Sequence, residues 1–329
     1  MVEKTPLFAV ILLFAQLASP VSSQTLKAAY PSIGGAQTPL FVAKEAGSFN
    51  RQGLDVEMIY IAGGNRIAQA MIAGEIQVGQ VSQAPAIAAT LGGADLVFIA
   101  NLYPTLVYSL YVAQDINKPA DLKGKKLGVT SFGSVIDFGT RLLMKHFNLV
   151  PNRDVALIQI GGQTHAVAAL AARGIDGALL NPPASMEAKN IGMHELFDLK
   201  DLGVDYAFVG VAVSRAYWNR NPDAVERFMK GYLEGISIAK RDATFTMRVL
   251  EKYTKTKDPG VLKETYRVFV ANALLEKPYT TDRGIQANLD GLAPGIKSAK
   301  STTPRAFFDN QIIEKLDKTG YLHALYQKR

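Results

Sequence analysis

The sequence predicts an α/β protein of two lobes joined by a two-segment hinge, with a helical C-terminal region packed on the first lobe. Three observations carry that expectation. A shift of 99 residues without a gap lays Tyr30-Pro31-Ser32-Ile33-Gly34 on Val129-Thr130-Ser131-Phe132-Gly133 and Asp55-Val56 on Asp154-Val155. The same shift lays residues 61–65 on 160–164 and residues 76–82 on 175–181. Both units follow a strand-loop-helix order and turn polar or Gly-rich where a strand hands over to a helix, which is where open α/β sheets hold ligands. From Arg215 onward the signals are almost entirely helical, so that region lacks a sheet of its own and must pack on an existing lobe.

Taken in order, residues 26–30 form a first strand that ends in Pro31-Ser32-Ile33-Gly34-Gly35. Thr38 is expected to cap a helix with Pro39 in its first turn, and Gly47 closes it. Leu54, Val56, Met58 and Tyr60 alternate as a strand, broken by Gly63-Gly64-Asn65. A helix over 66–73, a strand over 76–81 and a helix over 84–91 capped by Ser82 follow, then strands over 96–100 and 106–113. The polar stretch 115–124 opens the second unit, with strands over 126–130, 155–160, 175–180 and 194–199 and helices starting near Ser134, Thr164 and Pro183. Residues 206–214 suit a crossing back to the first lobe, and Asn221 caps the helix begun by Pro222 and Asp223. The expected division is thus lobe one over 24–113 and 214–329, with lobe two inserted over 114–213.

At 329 residues and 48% hydrophobic content the chain can bury two domain-sized cores. Its net charge of +7 comes without a Lys/Arg cluster interleaved with aromatics, which argues against nucleic-acid binding. Residues 1–23 read as a secretory signal: Lys4, an apolar run over 7–17, Pro20, then Val21-Ser22-Ser23 before Gln24, although Glu3 is atypical of a basic leader. The run is too short to span a bilayer comfortably. The absence of cysteine excludes disulfides, thiolate metal sites, cysteine nucleophiles and a lipid-bearing anchor. A monomeric periplasmic protein is expected, without cofactor or metal; the histidines at 146, 165, 194 and 323 show no metal spacing.

The stretch Pro39-Leu40-Phe41-Val42-Ala43-Lys44-Glu45-Ala46-Gly47-Ser48-Phe49, followed by Gln52-Gly53-Leu54-Asp55-Val56-Glu57, resembles the substrate-binding proteins of ABC importers of the nitrate/sulfonate/taurine and thiamine-precursor group. Asp121-Leu122-Lys123-Gly124-Lys125-Lys126-Leu127-Gly128-Val129 is similar to that family's entry into its second lobe, and Gly174-Ile175-Asp176-Gly177-Ala178 to a later strand. The resemblance covers most of the chain after residue 23. It implies a type II periplasmic binding fold, capture of a ligand between the lobes, and delivery to a membrane permease driven by a cytoplasmic ATPase. The family's thiamine-precursor synthases use a reacting histidine and a cysteine-rich motif, and this cysteine-free chain departs from them.

The loops after equivalent strands should converge on one cleft. Lobe one would offer Ser32, Gly34, Gly35, Gln37, Gly64, Asn65, Ser82 and Gln83. Lobe two would offer Ser131, Phe132, Gly133, Ser134, Gln163, Thr164 and Asn181. Hydroxyls, amides and helix N-terminal N–H groups bind a carboxylate, sulfonate or similar anion without a fixed cation. The same serines, Thr164 and Asn181 also suit ordinary helix caps. Arg66 and His165 stand one residue after equivalent loops and could add positive charge, though solvated or packing roles compete, and Phe132 could cover an apolar ligand face or pack internally. The expected function is non-catalytic capture of a small anionic organic molecule. The alternatives are a pyrimidine- or thiamine-precursor-related enzyme reacting through His165, and a ligand-sensing partner of a membrane receptor.

Overall fold

The computed structural model describes residues 24–327, so the expected export signal over 1–23 lies outside the described residues. The chain starts with β1 (Gln24–Tyr30), passes a 3-10 turn (Gly35–Gln37) into α1 (Thr38–Glu45) and α2 (Ser48–Arg51), and continues as β2 (Leu54–Tyr60), α3 (Gly64–Ile72), β3 (Val78–Ser82), α4 (Gln83–Leu91) and β4 (Leu96–Asn101). It crosses to β5 (Ser109–Val112), β6 (Lys126–Val129), α5 (Val135–His146), β7 (Ala156–Gln159), α6 (Gln163–Ala171), β8 (Gly177–Leu180), α7 (Ala184–Asn190) and β9 (His194–Asp198). It returns in β10 (Val209–Ser214) and ends in helices α8 (Arg215–Arg220), α9 (Pro222–Arg241), α10 (Ala243–Thr254), α11 (Pro259–Thr265) with a π-helical continuation (Tyr266–Ala273), α12 (Asp282–Leu292), α13 (Gln311–Lys318) and α14 (Tyr321–Gln327).

The strands form two five-stranded sheets of matching order, β2-β1-β3-β10-β4 and β7-β6-β8-β5-β9. The repeat seen in the sequence is a repeat of register. Lys27 opposes Glu57 and Lys126 opposes Ala156; Ala28 opposes Val78 and Leu127 opposes Gly177, each partner of the second pair standing 99 residues after its counterpart. Parallel register is set by which residues must face the core. Leu26 and Ala28 are buried while Lys27 is exposed, and Leu127 is buried beside exposed Lys126. Even the left-handed residue before the second strand recurs, as Gly53 (φ 69) and Asn152 (φ 62).

Two crossings lie side by side and form the hinge. Leu102 N–H donates to Val209 O (2.8 Å), Phe208 N–H to Tyr103 O (3.1 Å) and Tyr206 N–H to Pro104 O (2.9 Å). The expected boundaries at 113/114 and 213/214 shift accordingly. β5 pairs with β8 and β9 of the second sheet, and β10 pairs with β3 and β4 of the first, so each crossing chain inserts its strand into the sheet it has just reached. The expected strand over 106–113 is shorter than read because the chain before Ser109 runs through the hinge and its Pro104.

The helical region packs on lobe one through α9, which lies against α1 and α2. Gly235 and Gly231 permit this approach: a Cβ on Gly235 would stand 2.7 Å from Ala43 Cα, and one on Gly231 2.8 Å from Phe49 Cδ1. Phe49 stacks on Phe228 (centroids 4.9 Å) and Phe41 on Tyr253 (4.0 Å); burying each such ring contributes about 1.5–3 kcal/mol. Lys252 and Tyr253 both donate to Glu45.

Three expected caps differ in detail. Thr38 is inside α1 and its hydroxyl donates back to Gly35 O (2.6 Å), Gln37 being the cap position. Ser82 and Asn221 occupy cap positions without a side-chain cap bond, and the Asn221 amide instead donates to Tyr217 O. Among the described residues no helix is long and apolar enough to cross a membrane.

Candidate functional site

Strand pairing fixes which way the loops face. The last residue of β3, Ser82, opposes Val209, the first residue of β10 after its crossing. The last residue of β8, Leu180, opposes Ser109, the first residue of β5 after its crossing. The C-terminal ends of β3 and β8 therefore meet the hinge, and with them the ends of the parallel strands β1, β2, β6 and β7. Loops 31–37 and 61–63 of one lobe and 130–134 and 160–162 of the other thus lie on the interlobe side, in the crevice position of an open α/β sheet.

In lobe one, residues 31–37 are held from beneath. The Gln80 amide donates to Gln37 Oε1 (2.7 Å) and Ala36 O (2.8 Å), Tyr232 OH donates to Gln80 Oε1, and Tyr103 OH donates to Ala36 O (3.2 Å). Gln37 then donates to Ser32 Oγ (3.2 Å). A buried polar chain runs from the core through Gln80 and Gln37 to the exposed Ser32 hydroxyl, with its members satisfied as burial demands. Gly35 has no room for a side chain, since a Cβ would meet Phe269 Cδ2 at 2.1 Å. The first turns of α1, α3 and α4 carry no acidic residue.

In lobe two, residues 130–134 are held by their own side chains. Ser134 Oγ accepts from Thr130 Oγ1 (2.9 Å) and from Asp137 N–H (3.2 Å), while Asp137 Oδ2 accepts from Gly133 N–H (2.9 Å), a reciprocal capping pair at the start of α5. Arg141 Nε donates to Asp137 Oδ1 (2.8 Å), and Gln159 Oε1 accepts from Phe132 N–H (3.1 Å). Ser131, Phe132 and Gly133 are exposed. Gln163 and Asn181 grip one another: the Gln163 amide donates to Asn181 Oδ1 (3.0 Å) and Asn181 N–H to Gln163 Oε1 (2.9 Å). Asn181 Nδ2 also donates to Val107 O (3.0 Å), tying the end of β8 to the hinge.

A cavity of about 400 Å³ lies where the hinge, lobe two and the helical region meet. Asn181 is the one expected site residue lining it; Tyr108, Tyr111, Ser185, Glu195, Glu264 and Arg267 face it as well. Burial pushes the Tyr108 hydroxyl well above its ordinary pKa, partly offset by its hydrogen bond with Asn181. Burial, then the Glu195 charge, does the same to Tyr111, whose OH donates to Glu195 Oε2 (3.1 Å). Arg267 holds Glu264 through two bonds (2.8 and 2.7 Å), and that bond, with a lesser pull from Lys189 of α7, keeps the Glu264 carboxyl below its usual range. The same pair raises the Arg267 guanidinium, assisted by Glu195 and Asp198 on the opposite lobe.

The structure therefore groups Ser32, Gly34, Gly35 and Gln37 on one interlobe loop, Ser131, Phe132, Gly133 and Ser134 on its counterpart, and Gln163 with Asn181 beside the hinge. Gly64 and Asn65 open α3, and Thr164 lies in the first turn of α6; Asn65 and Thr164 are exposed, as are Arg66 and His165. Ser82 is half-buried at the end of β3. Gln83 is turned inward: it is fully buried, its amide donates to Asn101 Oδ1 (2.9 Å), and its Oε1 has no partner among the described residues. Glu264 and Arg267 went unnoticed in the sequence because they lie in the helical region, which has no counterpart in the repeat. Tyr108 was visible only as one of several tyrosines near a crossing. Among the described residues no cluster of His, Asp or Glu could hold a metal.

A family model described as NMT1/THI5 like matches residues 36–243. A Brachyspira hyodysenteriae protein provisionally named an ABC transporter periplasmic binding protein is 25% identical over 287 residues, 82% of this chain and 78% of that protein. The taurine-binding periplasmic protein of Escherichia coli is 27% identical over 201 residues, 60% of this chain and 61% of that protein. Among solved structures, the periplasmic aliphatic sulphonate binding protein SsuA of Escherichia coli superposes with a TM-score of 0.70 at 18% identity, over 88% of this chain and 91% of that one. The shared fold is that of periplasmic binding proteins, with two mixed α/β lobes.

Proposed function

The chain belongs to the NMT1/THI5-like family, and on that premise we propose that it is the solute-binding component of an ABC importer, capturing a small anionic organic molecule between its lobes and delivering it to a membrane permease and its ATPase. One observation carries this: equivalent strand ends of both halves, in one repeated register, point their polar loops at a shared hinge. The relatives named for ABC transport and taurine binding support the same class of role.

In the mechanism, the lobes act as two bodies on the paired crossings at 102–104 and 206–208. Lobe two is the part of the chain between those crossings, and lobe one the remainder. Closure brings the exposed Ser32 hydroxyl toward Ser131 and Ser134. Asn181 links the end of β8 to Val107 in the hinge, so it transmits the guest's position to the moving joint. The protein works outside the cytoplasmic membrane as an exported monomer and performs no chemistry on its guest. The relatives named as binding proteins support that reading.

Titration calorimetry with carboxylates, sulfonates, nitrate and pyrimidines tests the proposal. Saturable binding by a member of that panel is expected; a folded protein that binds none of them overturns it.

A further inference from the structure

Two large apolar side chains stand uncovered at one repeat position. Ile33 is 51% exposed and Phe132 is 54% exposed. The 99-residue shift that carries β1 onto β6 carries Ile33 onto Phe132. Neither belongs to a hydrophobic cluster among the described residues. Single exposed apolar side chains are ordinary on a protein surface. This pair differs in place: each lies in the first loop after a strand whose C-terminal end is on the hinge side of its sheet, one from each lobe, so both stand on interlobe loops.

Both are also carried on anchored loops. Phe132 N–H is held by Gln159 Oε1 (3.1 Å), and the neighbouring Gly133 N–H by Asp137. The Ile33 loop is fixed through Ala36 and Gln37 by the buried Gln80 amide. A side chain left bare while its loop is pinned is preorganised to meet something that arrives, because little ordering entropy remains to be lost there. A β-branched ridge and a flat ring complement a hydrocarbon or aromatic body and offer a charged head nothing.

We propose that Ile33 and Phe132 are apolar jaws that close from opposite lobes onto the non-polar body of the guest, so that the protein selects solutes carrying a hydrocarbon or aromatic portion behind an anionic head. The inference rests on the solute-capture reading above. Equivalent positions about the hinge move inward together, so the ring and the ridge cover the guest as the Ser32, Ser131 and Ser134 hydroxyls reach its head. Water is then excluded from the polar contacts by the same step that buries the apolar ones.

The test is titration calorimetry with acetate, octanoate, benzoate and the corresponding methane-, octane- and benzenesulfonates, on the wild type and on Ile33→Ser/Phe132→Ser. The wild type is expected to prefer the long and aromatic members. The double variant should lose about tenfold in affinity for those members, the worth of burying one exposed ring and one exposed aliphatic face in part. Acetate and methanesulfonate should bind both proteins alike, and the thermal midpoint should move little, since both side chains are half exposed and join no hydrophobic cluster among the described residues. Phe132→Leu should keep the preference for octanoate and lose that for benzoate. A wild type indifferent to chain length, or a double variant that keeps the full preference, overturns the jaws and leaves solute capture standing. A folded wild type that binds nitrate or a pyrimidine alone does the same. A wild type that binds neither these probes nor any of the wider panel overturns both.

Discussion

Loops 31–37 and 130–134 occupy the same place in the repeat and are secured by opposite means. The first is held from the core side by Gln80, with no carboxylate in the opening turn of α1. At the position of Gln80 the second half has Leu179, and its loop is instead held from the front by Ser134 and Asp137. Duplicated topology has thus been fitted with different electrostatics. The first turn of α1 carries no carboxylate, whereas the start of α5 already faces one, which is balanced by Arg141. The Asp137 carboxylate should therefore weaken the hold of Ser131 and Ser134 on an anionic head relative to that of Ser32.

The comparison can be broken most forcefully at Gln80. Replacing Gln80→Leu, the residue type of the other half, leaves Gln37 Oε1 and Tyr232 OH buried without their partners and should cost about 3 kcal/mol of stability, with a loss of ligand affinity as residues 31–37 loosen. Denaturant unfolding and calorimetry measure the two effects. Gly35→Ala comes next: its Cβ would collide with the buried Phe269 ring, a case of overpacking expected to cost about 2 kcal/mol and visible as a lowered thermal midpoint. A smaller contrast separates the equivalent glycines 34 and 133. Gly34 is extended (φ −178) with open space around it, so Gly34→Ala should be nearly neutral. Gly133 is left-handed (φ 78), so Gly133→Ala should cost about 1 kcal/mol. The smallest effect is expected from Asp137→Asn. It removes negative charge from the α5 terminus while keeping an oxygen for Gly133 N–H, and should tighten binding of an organic anion by about two- to fivefold at low salt. An unchanged affinity there would mean that lobe two stays remote from the anionic head.

What the sequence made legible follows from what repeats. Residues 24–82 and 123–181 share register, left-handed turns and helix starts, so Ser32, Ser131, Gln163 and Asn181 could be placed on equivalent loops before any coordinates. The direction of side chains was not legible in the same way. Gln37 and Gln83 look alike as polar residues beside helix starts, yet both turn into lobe one, where Gln37 pairs with Gln80 and the Gln83 amide donates to Asn101. The crossings lie earlier in the chain than the expected boundaries, since a β-branched run does not say which sheet it will join; β5 and β10 are assigned by partners far away in sequence. Glu264 and Arg267 depend on the packing of α11 and its π-helical continuation beside lobe two, a tertiary fact without a local signal.

Amide hydrogen exchange on the free protein and on its complex with the tightest-binding member of the calorimetric panel tests the central claim most directly. Protection should rise together in peptides covering 31–37 and 130–134, with a smaller gain at 181 and in the paired crossings. Protection confined to one lobe, or found only on surfaces away from the hinge-facing strand ends, would contradict a guest held between duplicated halves.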